Sequence, residues 1–145
     1  MPSRQQRLRD TFPDASLLDL GSASVDHVSR LYEEAGYDVG VELRKFLEEY
    51  RELSISWRYR EMEVSVRIDA EEALSFYPGN VRVFSRKVGR PLVPIGSAFA
   101  TEEVVLIASD GDVFIAGDAG MQYVGNGFVQ SMRALISGTW DKTFF

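Results

Sequence analysis

LIASDGDVFIAG, residues 106–117, sets two apolar runs on either side of Ser109, Asp110, Gly111 and Asp112. Asp-Gly between apolar runs is a strong hairpin signal, because a type I′ turn needs positive φ at both of its central residues. Pairing outward from a two-residue Asp110-Gly111 turn places Ser109 opposite Asp112, Ala108 opposite Val113, Ile107 opposite Phe114 and Leu106 opposite Ile115. One face is then Val104, Leu106, Ala108, Val113 and Ile115, and the other Val105, Ile107, Phe114 and Ala116. Both are apolar, so the hairpin is expected at the centre of a sheet and covered on both sides. The same aspartates invite a reading as a metal loop or a carboxylate pair. A calcium loop requires alternating oxygen ligands followed by a bidentate glutamate. SDGDVFIAGDAG, residues 109–120, has no glutamate at that spacing, and its centre turns into strand.

Downstream, MQYVGNG (121–127) reads as a last short strand and a turn. Phe128, Met132, Leu135 and Ile136 then form an amphipathic helix closed by Gly138. Upstream, the prolines of RPLVPIG (90–96) allow an edge strand and argue against a central one. Before it, Asn80 is a candidate cap for a helix that turns Val81, Phe84 and Val88 inward and Arg82, Arg86 and Lys87 outward, with Gly89 as its stop. DAEEALSF (69–76) suits a short helical turn. Leu53, Ile55 and Trp57, then Val64, Val66 and Ile68, alternate with polar residues as half-solvated strands do, with WRYRE (57–61) as their connection. Ser22 or Ser24 caps a helix carrying Val25, Val28, Leu31, Tyr32 and Ala35, ended by Gly36. A second helix over roughly 40–51 carries Leu43, Phe46, Leu47 and Tyr50 on one face. The first twenty residues read as a short helix and a loop. This order predicts one α+β domain over residues 1–145, with a mostly antiparallel sheet and helices packed on it.

Four stretches carry more than a fold class. EEAGYDVGVELRKFLEEYRELSIS (33–56), GRPLVPIG (89–96), SDGDVFI (109–115) and GNGFVQSMRALISG (125–138) occur in an order that resembles the SUKH superfamily, and within it the third subgroup, found in bacterial polymorphic-toxin immunity loci. The resemblance covers about residues 24–138. Where that family often shows a Gly-Gly pair before the leucine that opens the first strand, Arg51-Glu52 stand ahead of Leu53, so a different turn is expected there. The resemblance implies a cytoplasmic immunity protein that binds one toxin domain, frequently a nuclease, and blocks it stoichiometrically. It brings no catalytic constellation and no partner residues, and it makes "PIG" and "DG-V" fold determinants.

The chemistry of the chain agrees. Its 145 residues contain no cysteine, which excludes disulfides, a thiol nucleophile and zinc–thiolate sites. The start of the chain has no apolar signal region and no apolar run approaches the ~18 residues a membrane span needs, so a soluble cytoplasmic protein is expected. His27 is the lone histidine, there is no G-x-S-x-G elbow, and the glycines of GDAGMQYVGNG (117–127) match no phosphate-binding fingerprint. No catalytic residue, cofactor or metal is expected, and the chain is read as a non-enzyme. The net charge of −6 repels phosphate backbones, so direct contact with nucleic acid is not expected, and it suits capture of a basic protein. Candidate partner contacts are Trp57, Tyr59 and Arg60 beside Glu61, placed in the loop after the first strand. An acidic group of Glu102, Glu103, Asp112 and Asp118 joins them if the sheet ends cluster. Against this, Trp57 suits the core and the carboxylates suit a solvated surface. Arg82, Arg86, Lys87 and Arg90 read as a solvated helix face, or as contacts to an acidic toxin or to nucleic acid. A non-catalytic scaffold module with a regulatory partner is the alternative function, and a small enzyme the third. Trp140 and Phe144-Phe145 are expected to dock on the domain or on a second copy.

Overall fold

Alternating apolar residues build the sheet, and each strand pairs with the next in sequence. In the computed structural model, which describes residues 2–99 and 103–145, the order is α1 (Arg4–Thr11), β1 (Ser16–Asp19), α2 (Val25–Glu34), α3 (Val41–Tyr50), β2 (Leu53–Tyr59), β3 (Met62–Ile68), α4 (Ala70–Leu74), α5 (Pro78–Val88), β4 (Leu92–Ala98), β5 (Glu103–Ala108), β6 (Asp112–Gly117), β7 (Gly120–Asn126) and α6 (Phe128–Ser137). The seven strands form one antiparallel sheet in the order β1 to β7, and the helices pack on it. The α+β class is as expected, and β1 is a strand where a loop was read. Among the described residues no helix is long and apolar enough to cross a membrane.

The opening hairpin forms, one residue out of the expected register. Ile107 faces Val113 and Leu106 faces Phe114, leaving a three-residue loop of Ser109, Asp110 and Gly111. Gly111 alone has positive φ, +95°, and its N–H closes onto the Ala108 carbonyl at 3.0 Å. Asp110 keeps an ordinary φ because its Oδ1 accepts the Asp112 N–H at 3.1 Å, which favours a turn ended by one left-handed residue. The slip regroups the faces. Val104, Leu106, Ala108, Phe114 and Ala116 share one core with Met121, and Val105, Val113 and Ile115 share the other. Both faces are covered, as expected, but β4 rather than this hairpin is the middle strand.

Type I′ geometry appears instead between β2 and β3. Tyr59 faces Met62, and the two loop residues Arg60 and Glu61 have φ of +50° and +69°. Neither is glycine, so each carries roughly 1 kcal/mol of left-handed strain. Trp57 and Tyr59 therefore belong to β2, not to a loop. Glu52, at φ +55°, is a third left-handed residue, and it opens β2 without a glycine.

β4 corrects the edge-strand expectation, since it pairs with β3 and β5 together. The prolines are tolerated because β3 reaches only Ser97 and Ala98. At Pro94 the flank away from β5 is met by α2, where the buried Tyr32 hydroxyl donates to the Pro94 carbonyl at 2.6 Å. A strand residue's N and C=O point the same way, so the ring nitrogen lies where no ladder donor is needed. Burial pushes the Tyr32 phenol well above its ordinary range.

Helix ends follow local chemistry. Ser24 Oγ accepts the His27 N–H, and Asp69 caps α4 through the N–H groups of Glu71 and Glu72. Asn80 does not cap α5. Pro78 occupies the first turn with Tyr77 as the flanking residue, which places Asn80 inside the helix. α1, α2, α3 and α6 cover one face of the sheet, and Phe128 of α6 packs on α3, 4.7 Å from the Tyr50 ring and 5.0 Å from Phe46. α5 covers the other face through Val81. The segment after α6 docks on its own chain. Trp140 stacks on Phe99, Phe145 exchanges backbone hydrogen bonds with Met121 at 2.9 and 3.3 Å, and its ring lies 6.3 Å from Phe114.

Candidate functional site

The paired aspartates of the opening hairpin are held within the protein. Arg90 Nη1 donates to Asp110 Oδ2 at 2.5 Å and to Asp112 Oδ2 at 2.6 Å. Asp112 Oδ1 accepts from Asn126 Nδ2 at 2.9 Å and from the Tyr123 hydroxyl at 3.2 Å. Arg90 is thus a clamp on the turn rather than part of a solvated helix face. The Asn126 amide, followed by Arg90 and Tyr123, holds the Asp112 carboxyl below its ordinary range, against an opposing effect of burial. A lowered carboxyl stabilises the fold above its unfolded pKa of about 3.9, and that contribution disappears as pH falls through the lower folded value. Asp112→Asn is therefore expected to cost about 1–2 kcal/mol at neutral pH, with the gap to wild type closing below about pH 4. Urea midpoints measured across that range check it. A gap that stays constant with pH would assign the effect to shape and not to charge.

The strand register gathers most of the other candidate contacts at one sheet end. The β2–β3 tip with Tyr59, Arg60 and Glu61, the start of β5 at Glu103 and the β6–β7 turn at Asp118 all lie there, and Asp112 lies at the opposite end. Glu102 lies outside the described residues. Arg60 sits over the Tyr59 ring at 5.3 Å, and Arg58 donates to the Glu61 carbonyl at 3.0 Å. Glu61 and Asp118 are exposed and Glu103 is half-buried. Trp57, opposite Val64, is 5% exposed and faces the core. This end offers charges and the exposed Met62.

A groove of about 1140 Å³ opens elsewhere, between α3 and the start of β4. Its floor is the cross-strand pair Val93 and Ile107, both only half-buried, although Leu92, Leu106 and Ala108 beside them are buried. Tyr37, Leu43 and Phe46 wall it, and the turn at Asp110 and Gly111 closes one end. Spacing did not reveal it. Tyr37 sat in what read as a joint between helices, and Val93 and Ile107 read as ordinary strand positions. A second groove of about 690 Å³ shares Tyr37 and Leu92 with the first and carries Arg82, Arg86 and Arg90.

Among the described residues no cluster of histidine, aspartate and glutamate could hold a metal ion. The arrangement is one of surfaces: a charged sheet end, an apolar groove and a clamped turn. No curated protein and no solved structure matches the chain. A family model does: the SUKH-3 immunity protein model matches residues 19–138, which take in every strand from β2 to β7 and every helix from α2 to α6. A match over that much of the chain, on a fold of the expected class, leads to one conclusion: the chain belongs to the SUKH-3 immunity protein family.

Proposed function

We propose that this protein protects a bacterial cell by binding one cognate toxin domain, a nuclease, in the cytoplasm and blocking it stoichiometrically, without catalysis. The family match over residues 19–138 carries this reading. The net charge of −6 supports it, because a nuclease that grips phosphate backbones presents a basic surface. Opposite potentials speed such capture, toward about 10⁸–10⁹ M⁻¹s⁻¹ at low salt. Of the earlier candidates, Arg60, Glu61 and Asp118 lie at the charged sheet end outside the groove, and Trp57 contributes to the core. Co-expression with the toxin domain encoded beside its gene tests the reading. Relief of toxicity and a one-to-one complex that survives purification are expected. Persistent toxicity with no complex would overturn it in favour of a scaffold role. Nucleic-acid degradation by the free toxin, lost on adding one equivalent of this protein, tests the nuclease target.

A further inference from the structure

We propose that the groove between α3 and the β4–β5 floor takes the toxin, and that its occupant is a basic segment of that toxin bearing an apolar side chain or stem. This rests on the immunity reading and adds to it the surface and the chemistry of contact. The floor supplies the anchor site. Val93 and Ile107 are apolar, opposite each other and half-open, in strands whose neighbouring residues are buried. Val41, 69% exposed, extends that apolar surface onto the first turn of α3. An apolar centre with a polar rim is how protein interfaces are built. At about 1140 Å³ the space is above the ~300–1,000 Å³ range of small-molecule pockets and open at one side, which suits a protein segment.

The rim selects the charge of that segment. Asp38, Glu42, Glu49 and Asp110 line the groove, and Lys45 is the cation among its lining residues. Arg7 holds Glu49 at 3.1 Å and Arg90 holds Asp110 from outside the groove. Lys45 meets Glu42 only at 3.8 Å, with both side chains more than two-thirds exposed, so water screens that pair. Asp38 makes no ion pair or hydrogen bond among the described residues. An arginine or lysine can lay its alkyl stem on Val93 and Ile107 and reach Asp38 and Glu42 with its head. Across the Tyr37 ridge the sign reverses, because Arg82 and Arg86 flank the neighbouring groove and repel such a segment.

The test titrates the toxin domain encoded beside the gene against wild type, Asp38→Lys/Glu42→Lys, Val41→Asp, Arg86→Glu and Arg60→Ala/Asp118→Ala. Association and dissociation rates are read at about 0.05 M and about 0.5 M salt, and melting curves confirm folding. The charge reversal is expected to weaken binding roughly tenfold or more at low salt, mainly through association, with the difference shrinking at high salt. Val41→Asp is expected to raise the dissociation rate, and the last two variants to stay within about twofold of wild type. Wild-type binding by both groove variants would overturn the groove proposal and leave the immunity reading standing if the wild-type protein still protects cells. Weakening by Arg86→Glu alone would place an acidic segment on the α5 side and overturn it too. A concentration-dependent dimer abolished by the charge reversal would put a second copy in the groove, against the proposal. If wild type neither binds nor protects, the immunity reading falls and the groove proposal with it.

Discussion

Gly96→Ala is expected to unfold this protein or leave it largely insoluble. A Cβ at Gly96 would stand 1.9 Å from the Arg67 carbonyl oxygen, 2.9 Å from its carbon and 3.1 Å from the Ile68 Cα. All three are backbone atoms, so no side-chain rotation relieves the clash. The place matters as much as the distance. β3 and β4 pair only at Val66 with Ala98 and Arg67 with Ser97, and that seam joins β1–β3 to β4–β7. Beside it, Glu72 receives the Ser97 hydroxyl and an Arg67 N–H, which fastens α4 across the join. Forcing the strands apart would break the ladder and this link together. A loss of about 4 kcal/mol or more is expected, a large part of the ~5–15 kcal/mol that holds a domain folded. Gly40→Ala is the control, since a Cβ there meets nothing within 4 Å. Urea denaturation reads both, and a wild-type midpoint for Gly96→Ala would show that the seam moves apart at little cost.

Phe128→Ala is expected to cost about 3–5 kcal/mol. Phe128 is 6% exposed, and its ring lies 4.7 Å from Tyr50, 5.0 Å from Phe46 and 6.4 Å from Phe12. It therefore ties α3, α6 and the end of α1 into one cluster, and edge-to-face pairs of this kind add to the area they bury. The same side chain borders the groove. Phe128→Leu, which keeps most of the volume, is expected to lose about half as much. Thermal melts compare the two. Equal losses for Ala and Leu would mean that ring packing, not volume, holds the helices together.

The helices were legible because their signals are local. Val25, Val28 and Tyr32 recur at helical spacing, Ser24 caps them, and Gly89 and Gly138 take the left-handed C-terminal positions their helices require. β2 and β3 were legible from alternation alone. Asn80 was misread because Pro78 sets the start of α5 by fixing φ two residues earlier. β1 was missed because four residues with one half-buried position carry almost no periodicity. The surfaces were less legible. Tyr59, Arg60, Glu61, Glu103 and Asp118 lie at one sheet end, through strand register that no single segment encodes. The groove was invisible, since a half-open floor depends on where α3 lies and where α6 begins.

By itself the chain's sequence determined that a turn forms at Asp110-Gly111, that apolar strands flank it and that the fold is α+β. Those properties depend on residues a few positions apart. Tertiary structure alone decided the central position of β4 and the capture of Asp110 and Asp112 by Arg90. Each depends on groups twenty or more residues apart, or on a strand whose open flank a helix happens to cover. LIASDGDVFIAG thus holds a three-residue turn clamped by an arginine from the connection between α5 and β4, and its aspartates hold the sheet end that borders the groove.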